Sequence, residues 1–383
     1  MESRQLFQQE FGRDPKLIGR GPGRVDLMGG HTDYNEGFVL PIALEQHVAL
    51  AAAPRTDRLL NVYAGNYDEW AEADLDRLER SDRVLWINYL AGVAHFLQES
   101  GIELCGMDAV VWGDVPIAAG LSSSAAMEVA AAVTFQALTG FEMAPVDMAL
   151  LCQRAENEFV GMNCGIMDQF IALLGREDHA LLIDCRSLEY RAVPIPAEGY
   201  RFVICDTRVP RELVDSAYNT RRAQCEEAVR RLKVALPEIT ALRDVTPEQL
   251  QEHAGLLPEP IFKRARHVVT ENERVLAVAE ALENGDMERV GRLFRESHLS
   301  LRDDYEVSIP ALDTISDTAE AVEGALGGRM AGAGFGGCGI ALVREEAVGE
   351  FDRELRRRYR REVAHDPGTY VCRAAAGARV EEL

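Results

Sequence analysis

The chain has 383 residues, long enough for two domains that each bury a core, and it carries 41 basic against 63 acidic residues for a formal charge of −22. A balance this acidic repels nucleic acid and anionic membrane surfaces, so the expected partner is a small molecule. The eight cysteines are scattered without a Cys-x-x-Cys pair, there is no HExxH, and no apolar run reaches the roughly 18 residues of a membrane span. These features, with a polar N-terminus unlike a secretory signal, lead us to expect a reduced, cytoplasmic protein. Any metal in it would be held by carboxylates and phosphates.

In chain order, residues 2–11 predict a short amphipathic helix ended by Pro15. Residues 17–37 follow, with six glycines and the charged set Arg24, Asp26, His31 and Asp33. Between apolar flanks this stretch reads as a loop pinned by strands, able to bring main chain close to a ligand; a solvated surface turn is the alternative. Residues 46–53, 58–64 and 108–112 pattern as strands, and Trp86 to Leu97 as a helix. On their own, Trp86 and Tyr89 fit core packing as readily as nucleotide contact.

Gly120-Leu-Ser-Ser-Ser-Ala follows the strand at 108–112 and opens an apolar helix at about 125–138. Strand, Gly/Ser turn and helix start is the arrangement of a phosphate cradle, because the first helical amides have no partner and the helix dipole is positive there. An ordinary serine-capped core helix is the alternative. A further helix at 145–159 presents Glu156. Asp168 then lies among apolar residues, where an ionised carboxylate needs a cation or donor; Arg24 is the candidate, and a helix-capping Asp the alternative. Strands at 180–185 and 200–206 flank the expected domain boundary. A charged helix at 216–232 follows, helices continue to about 325, and Leu326 to Val343 is a second Gly-rich run ahead of a strand.

Three segments, GRVDLMGGHTDYNEGFVLPIAL, GDVPIAAGLSSSAAMEVA and GGRMAGAGFGGCGIALV, resemble the signature motifs of the GHMP small-molecule kinases, in the galactokinase branch. GMNCGIMDQF, SAYNTRRAQCEE and SLRDDYEVS extend the resemblance over most of the chain. It implies a two-domain α/β (α+β) fold: an N-terminal α/β domain, taken as 1–195, and a C-terminal ferredoxin-like domain, 196–383, with ATP and sugar in the cleft between. The implied activity is ATP-dependent phosphorylation of the anomeric hydroxyl of a galacto-configured sugar, with Mg²⁺. By position the resemblance assigns Asp168 and Arg24 to catalysis. His31, Asp33, Gly30, Asp26 and Tyr218, with Asp168, fall to the sugar; Gly120, Ser122, Ser123, Ser124, Trp86 and Tyr89 to ATP; Ser124 and Glu156 to the metal.

Two departures bear on substrate. Ala118-Ala119 stands where galactokinases often carry glycine, narrowing the phosphate loop. At Gly30 the family usually has a glutamate resembling the group that binds the sugar's 6-hydroxyl. Its loss leads us to expect L-arabinose and D-galactose as comparable substrates with L-arabinose slightly ahead, and galacturonate, or a non-catalytic sugar sensor, as alternatives.

Overall fold

In the computed structural model, residues 3–116, 119–162, 164–196, 198–209 and 214–383 are described. The expectation at Ala118 lies outside them, as do Ile117 and Asn163 of the quoted motifs.

The chain begins with α1 (Ser3–Phe11), then β1 (Leu17–Met28), β2 (Phe38–Pro54), β3 (Leu59–Ala64), β4 (Glu69–Asp74), α2 (Ile87–Glu99) and β5 (Met107–Gly113). Next come α3 (Ser123–Thr139), α4 (Pro145–Arg154), α5 (Met167–Leu174), β6 (His179–Asp184) and β7 (Tyr190–Pro194). The first sheet runs β12-β1-β2-β5-β3-β4, with β6 on β2 and β7 on β6; β12 is the terminal strand Arg379–Glu382.

The second half comprises β8 (Tyr200–Asp206), α6 (Val214–Leu232), α7 (Pro247–Glu252), α8 (Ile261–Glu283), α9 (Met287–Asp303), α10 (Pro310–Ala321), β9 (Ala325–Ala331), β10 (Cys338–Arg344), α11 (Val348–Glu362) and β11 (Gly368–Cys372). Its antiparallel sheet has the order β11-β8-β10-β9. The two sheets divide between β7 and β8. The final strand then crosses back to pair Leu17 to Arg20 with Arg379 to Glu382, so the extreme C-terminus sits on the first sheet rather than with the rest of 196–383.

The expected loop at 17–37 is largely strand, with only Gly29 to Gly37 outside regular pairing with β2. Its glycines serve packing. A Cβ on Gly19 would fall 2.1 Å from Thr134 Oγ1, and one on Gly21 2.1 Å from the Ala126 carbonyl. Spaced by two, both point to one face of β1, and α3 lies against that face closer than any side chain would permit. This contact aims the N-terminus of α3 at Arg24, three residues beyond Gly21 on β1, whose amide donates to Leu121 O at 3.0 Å.

Candidate functional site

Asp168 occupies the first turn of α5, and Arg24 reaches it from β1 with Nε on Oδ1 and Nη2 on Oδ2, both at 2.6 Å. Burial alone would lower the Arg24 pKa, but the Asp168 charge and its hydrogen bonds outweigh that and raise it, so the guanidinium stays charged. Its Nη1 donates to Gly120 O at 2.7 Å, tying the Arg24–Asp168 pair to the serine loop. Ser122 also donates, Oγ to Asp168 Oδ2 at 2.6 Å.

That last bond corrects the serine-capping alternative. Ser122 is the N-cap of α3, but its side chain makes no capping bond and its backbone is left-handed at φ 58°. With Ser122 turned toward Asp168, the amides at the helix start are left without a side-chain cap, available to an anion. Ser124, two residues on, is hydrogen bonded to Glu156. Glu156 lies in the π-helical turn Ala155–Val160 that follows α4, replacing the last turn of the helix expected at 145–159. Burial first, then the Asp168 charge, raises its pKa. Hydroxyl and carboxylate oxygens are the donors Mg²⁺ takes, with phosphates and water completing its shell. Among the described residues no cluster of three or more His, Cys, Asp or Glu gathers as a metal cage.

Arg24, Asp26, Gly30, His31, Asp33, Asp168 and Tyr218, expected from distant segments, line one cavity of about 250 Å³. Gly29, Met162, Cys164, Gly165, Met167, Gly332 and Ala333 complete it. His31 has a left-handed backbone (φ 66°), and its Nδ1 meets the Tyr34 hydroxyl at 2.9 Å. Burial, then His267, pushes the His31 pKa down to about 3, so the ring is neutral at physiological pH. Asp33 is pushed up to about 6, first by burial and then by the Asp168 and Asp26 charges. The Tyr218 ring packs 5.7 Å from His31, and burial raises its phenol pKa well above the usual value.

Asp26 lines the cavity with both oxygens already engaged. Oδ1 accepts from Gly332 N at 2.8 Å and Oδ2 from Arg329 Nη1 at 3.1 Å, so it joins the first Gly-rich segment to the last. Beneath the Gly29 to His31 turn lies a buried polar layer absent from the sequence-based expectations. His267 meets Gly30 O and Ser300 Oγ, both at 2.9 Å, and Glu271 accepts from Gly29 N and Ser297. Against the burial penalty, Arg274, His267 and Arg329 hold Glu271 down at about 2. Arg329 stood in a quoted motif without a role; Glu271 and His267 carried no signal beyond their positions in a helix.

Of the aromatic pair expected at ATP, Trp86 belongs to the core: it is 8% exposed and its indole donates to Glu69 at 2.8 Å. Tyr89 is half-buried within electrostatic range of Glu156. A separate small hollow beside the start of α3 is lined by Asn66, Tyr67, Trp112, Ser123 and Met127, of which only Ser123 was expected.

Comparison with known proteins matches this geometry. Residues 88–176 match the GHMP kinases N terminal domain, 278–361 the GHMP kinases C terminal domain, and 5–54 the galactokinase galactose-binding signature. A galactokinase of Roseiflexus sp. (strain RS-1) is 50% identical over 98% of this chain and 96% of its own length. One of Chloroflexus aggregans is 49% identical over 97% and 95%. The structure of Lactococcus lactis galactokinase complexed with galactose superposes with a TM-score of 0.94 at 36% identity, covering 98% of each chain. Mevalonate kinase of Methanococcus jannaschii shares the fold, with a TM-score of 0.67 at 19% identity over 93% of this chain and 98% of that one. The protein is thus a sugar kinase that belongs to the GHMP kinase family, in its galactokinase branch.

Proposed function

We propose that the protein transfers the γ-phosphoryl group of ATP to the anomeric hydroxyl of a galacto-configured monosaccharide, with D-galactose as the favoured substrate. The observation that carries this reading is the Asp168 carboxylate, fixed by Arg24 and Ser122 at the meeting point of the sugar cavity and the uncapped start of α3. The sugar hydroxyl gives its proton to Asp168 as its oxygen bonds to the γ-phosphorus, and the bond to the bridging oxygen breaks to release ADP. Arg24 fixes the Asp168 carboxylate through two hydrogen bonds and places positive charge beside the phosphoryl group in transfer. The phosphates rest on the helix start at Ser123 and Ser124, and the adenine falls in the hollow at Asn66 and Tyr67. Ser124 and Glu156 would hold Mg²⁺, which when bound neutralises the phosphate charge. His31, Asp33 and Tyr218 orient the sugar from the far wall.

The expectation that Gly30 tips the site toward L-arabinose finds no support in the relatives, which are galactokinases. The geometry weakens it further. A Cβ on Gly30 would fall 3.0 Å from Arg329 Nη2 and 3.3 Å from Leu301, so the missing side chain leaves Cα toward the buried layer. L-Arabinose remains the second reading, favoured only by the glycine itself. Galacturonate and a non-catalytic sensor gain nothing from the site.

The test is ADP release with Mg²⁺-ATP and D-galactose, L-arabinose or D-galacturonate, with the product identified by ³¹P NMR. We expect a sugar 1-phosphate, and kcat/KM for galactose about tenfold or more above that for arabinose, which lacks the hydroxymethyl group. A lead for arabinose would reverse the substrate assignment, and turnover of no sugar would sink the reading.

A further inference from the structure

Gln169, the residue after Asp168, is fully buried, and its carboxamide nitrogen lies between two carboxylates. Nε2 donates to Glu156 Oε2 at 2.7 Å and to Glu128 Oε2 at 3.1 Å. Glu128 comes from α3, is itself 0% exposed, and among the described residues has no cation in hydrogen-bond reach. Cys164 Sγ adds a weak donor to Glu156 Oε2 at 3.3 Å. Turned the other way, the amide would set its oxygen against the Glu156 carboxylate, which already accepts from Ser124 and Cys164.

Two buried acids sharing one amide are costly in a core, where apolar residues of similar volume would pack without penalty. The arrangement gains its sense from what it spans. Gln169 sits on α5 next to the base; Glu128 is on the helix whose first turn faces the phosphates; Glu156 is the carboxylate on the phosphate side of the cleft. We propose that Gln169 is a positioning residue for phosphoryl transfer: braced by Glu128, it fixes the Glu156 carboxylate relative to Asp168, so that the metal-nucleotide and the base are held in register. This rests on the assignment of Glu156 to the metal-nucleotide. Burial pushes the Glu128 pKa well above the usual range, in keeping with a brace rather than a second metal-side charge.

The experiment measures ADP affinity with and without Mg²⁺ by calorimetry, alongside kcat and the KM for sugar, in the wild type and in four variants. Gln169→Met keeps the volume and removes the donor. We expect it to reduce the Mg²⁺-dependent gain in ADP affinity and kcat by about 10- to 100-fold, with the sugar KM within about threefold. Glu128→Met should show a smaller loss of the same pattern, and Glu128→Gln, which can both accept from and donate to the Gln169 amide, should bring it back to within about threefold of wild type. Glu156→Gln is the control for the underlying assignment. If it leaves the Mg²⁺ effect on ADP intact, the role of Glu156 is wrong. If Glu156→Gln abolishes that effect while Gln169→Met retains it, the positioning role of Gln169 is overturned. A Glu128→Gln variant as impaired as Glu128→Met overturns the bracing role.

Discussion

Arg24 and Asp168, 144 residues apart in the chain, meet edge to edge with both hydrogen bonds at 2.6 Å. Their helices and strands meet because α3 lies on the glycine face of β1 and α5 packs beside α3. Asp168→Asn keeps the size but cannot take a proton, and turns a donor toward Arg24. We expect kcat to fall by about 10²- to 10⁴-fold while Mg²⁺-ADP binds within a few-fold of wild type by calorimetry. Near-normal turnover would remove Asp168 from the base role. Arg24→Lys, losing the two-pronged contact, should also lose most of kcat despite keeping its charge.

A second prediction concerns the buried Arg329. Its charge is met by Asp26 at 3.1 Å and more distantly by Glu271 at 3.8 Å, while its Nε and Nη2 have no hydrogen-bond partner among the described residues. Asp26→Asn leaves that guanidinium poorly compensated and should destabilise the fold by about 3–5 kcal/mol. A glutamate at position 30 would start beside Nη2, so adding Gly30→Glu to Asp26→Asn should recover part of the loss. Denaturant midpoints of the single and double variants measure the coupling. A purely additive pair would show that the two positions do not serve the same arginine.

How far the sequence anticipates this site can be judged from these same residues. A carboxylate among apolar neighbours demands a donor, and that demand alone linked Asp168 to Arg24; the structure supplies the bond. The serine turn was likewise legible, because strand, small residues and helix are contiguous. Glycines at 19 and 21 read as flexibility, since their packing partner on α3 lies far along the chain. Asp26 with Arg329, and Glu271 with Gly29, pair across the two halves of the molecule, so no local pattern marks them. Trp86 carries the same signal whether its ring meets a nucleotide or the core; its burial and its hydrogen bond to Glu69 show only that it packs in the core. The return of β12 to β1 follows from nothing in its four-residue sequence.

A third prediction follows from the cavity's acid. With its pKa raised from 3.8 to about 6 by burial and by neighbouring carboxylates, Asp33 binds its proton more tightly folded than unfolded. Its stabilising contribution is therefore complete below about pH 4 and is lost as pH rises through 6, a change of about 3 kcal/mol. Asp33→Asn should be more stable than wild type by that amount above pH 7, with the difference closing toward pH 4 in thermal unfolding. Function runs the other way. If Asp33 accepts from a sugar hydroxyl, its ionised form is the stronger acceptor, so kcat/KM for the sugar should rise through pH 6 in the wild type. His31, pushed down to about 3, adds no step near its ordinary value.

The fourth prediction separates two roles for Ser122. A serine on the phosphate loop is expected to touch ATP, yet here its hydroxyl is committed to Asp168 and its backbone is left-handed. A non-glycine residue in that region carries about 1–3 kcal/mol of strain. Ser122→Ala removes the hydroxyl and keeps the strain; Ser122→Gly removes both. If the hydroxyl serves the base, both variants lose kcat by about 10-fold or more with the KM for ATP nearly unchanged, since a hydrogen bond to a charged group is lost in each. Ser122→Gly should also unfold at higher denaturant than Ser122→Ala, without regaining turnover. A rise in the KM for ATP with kcat preserved would return Ser122 to the phosphates and leave Arg24 alone in holding the base.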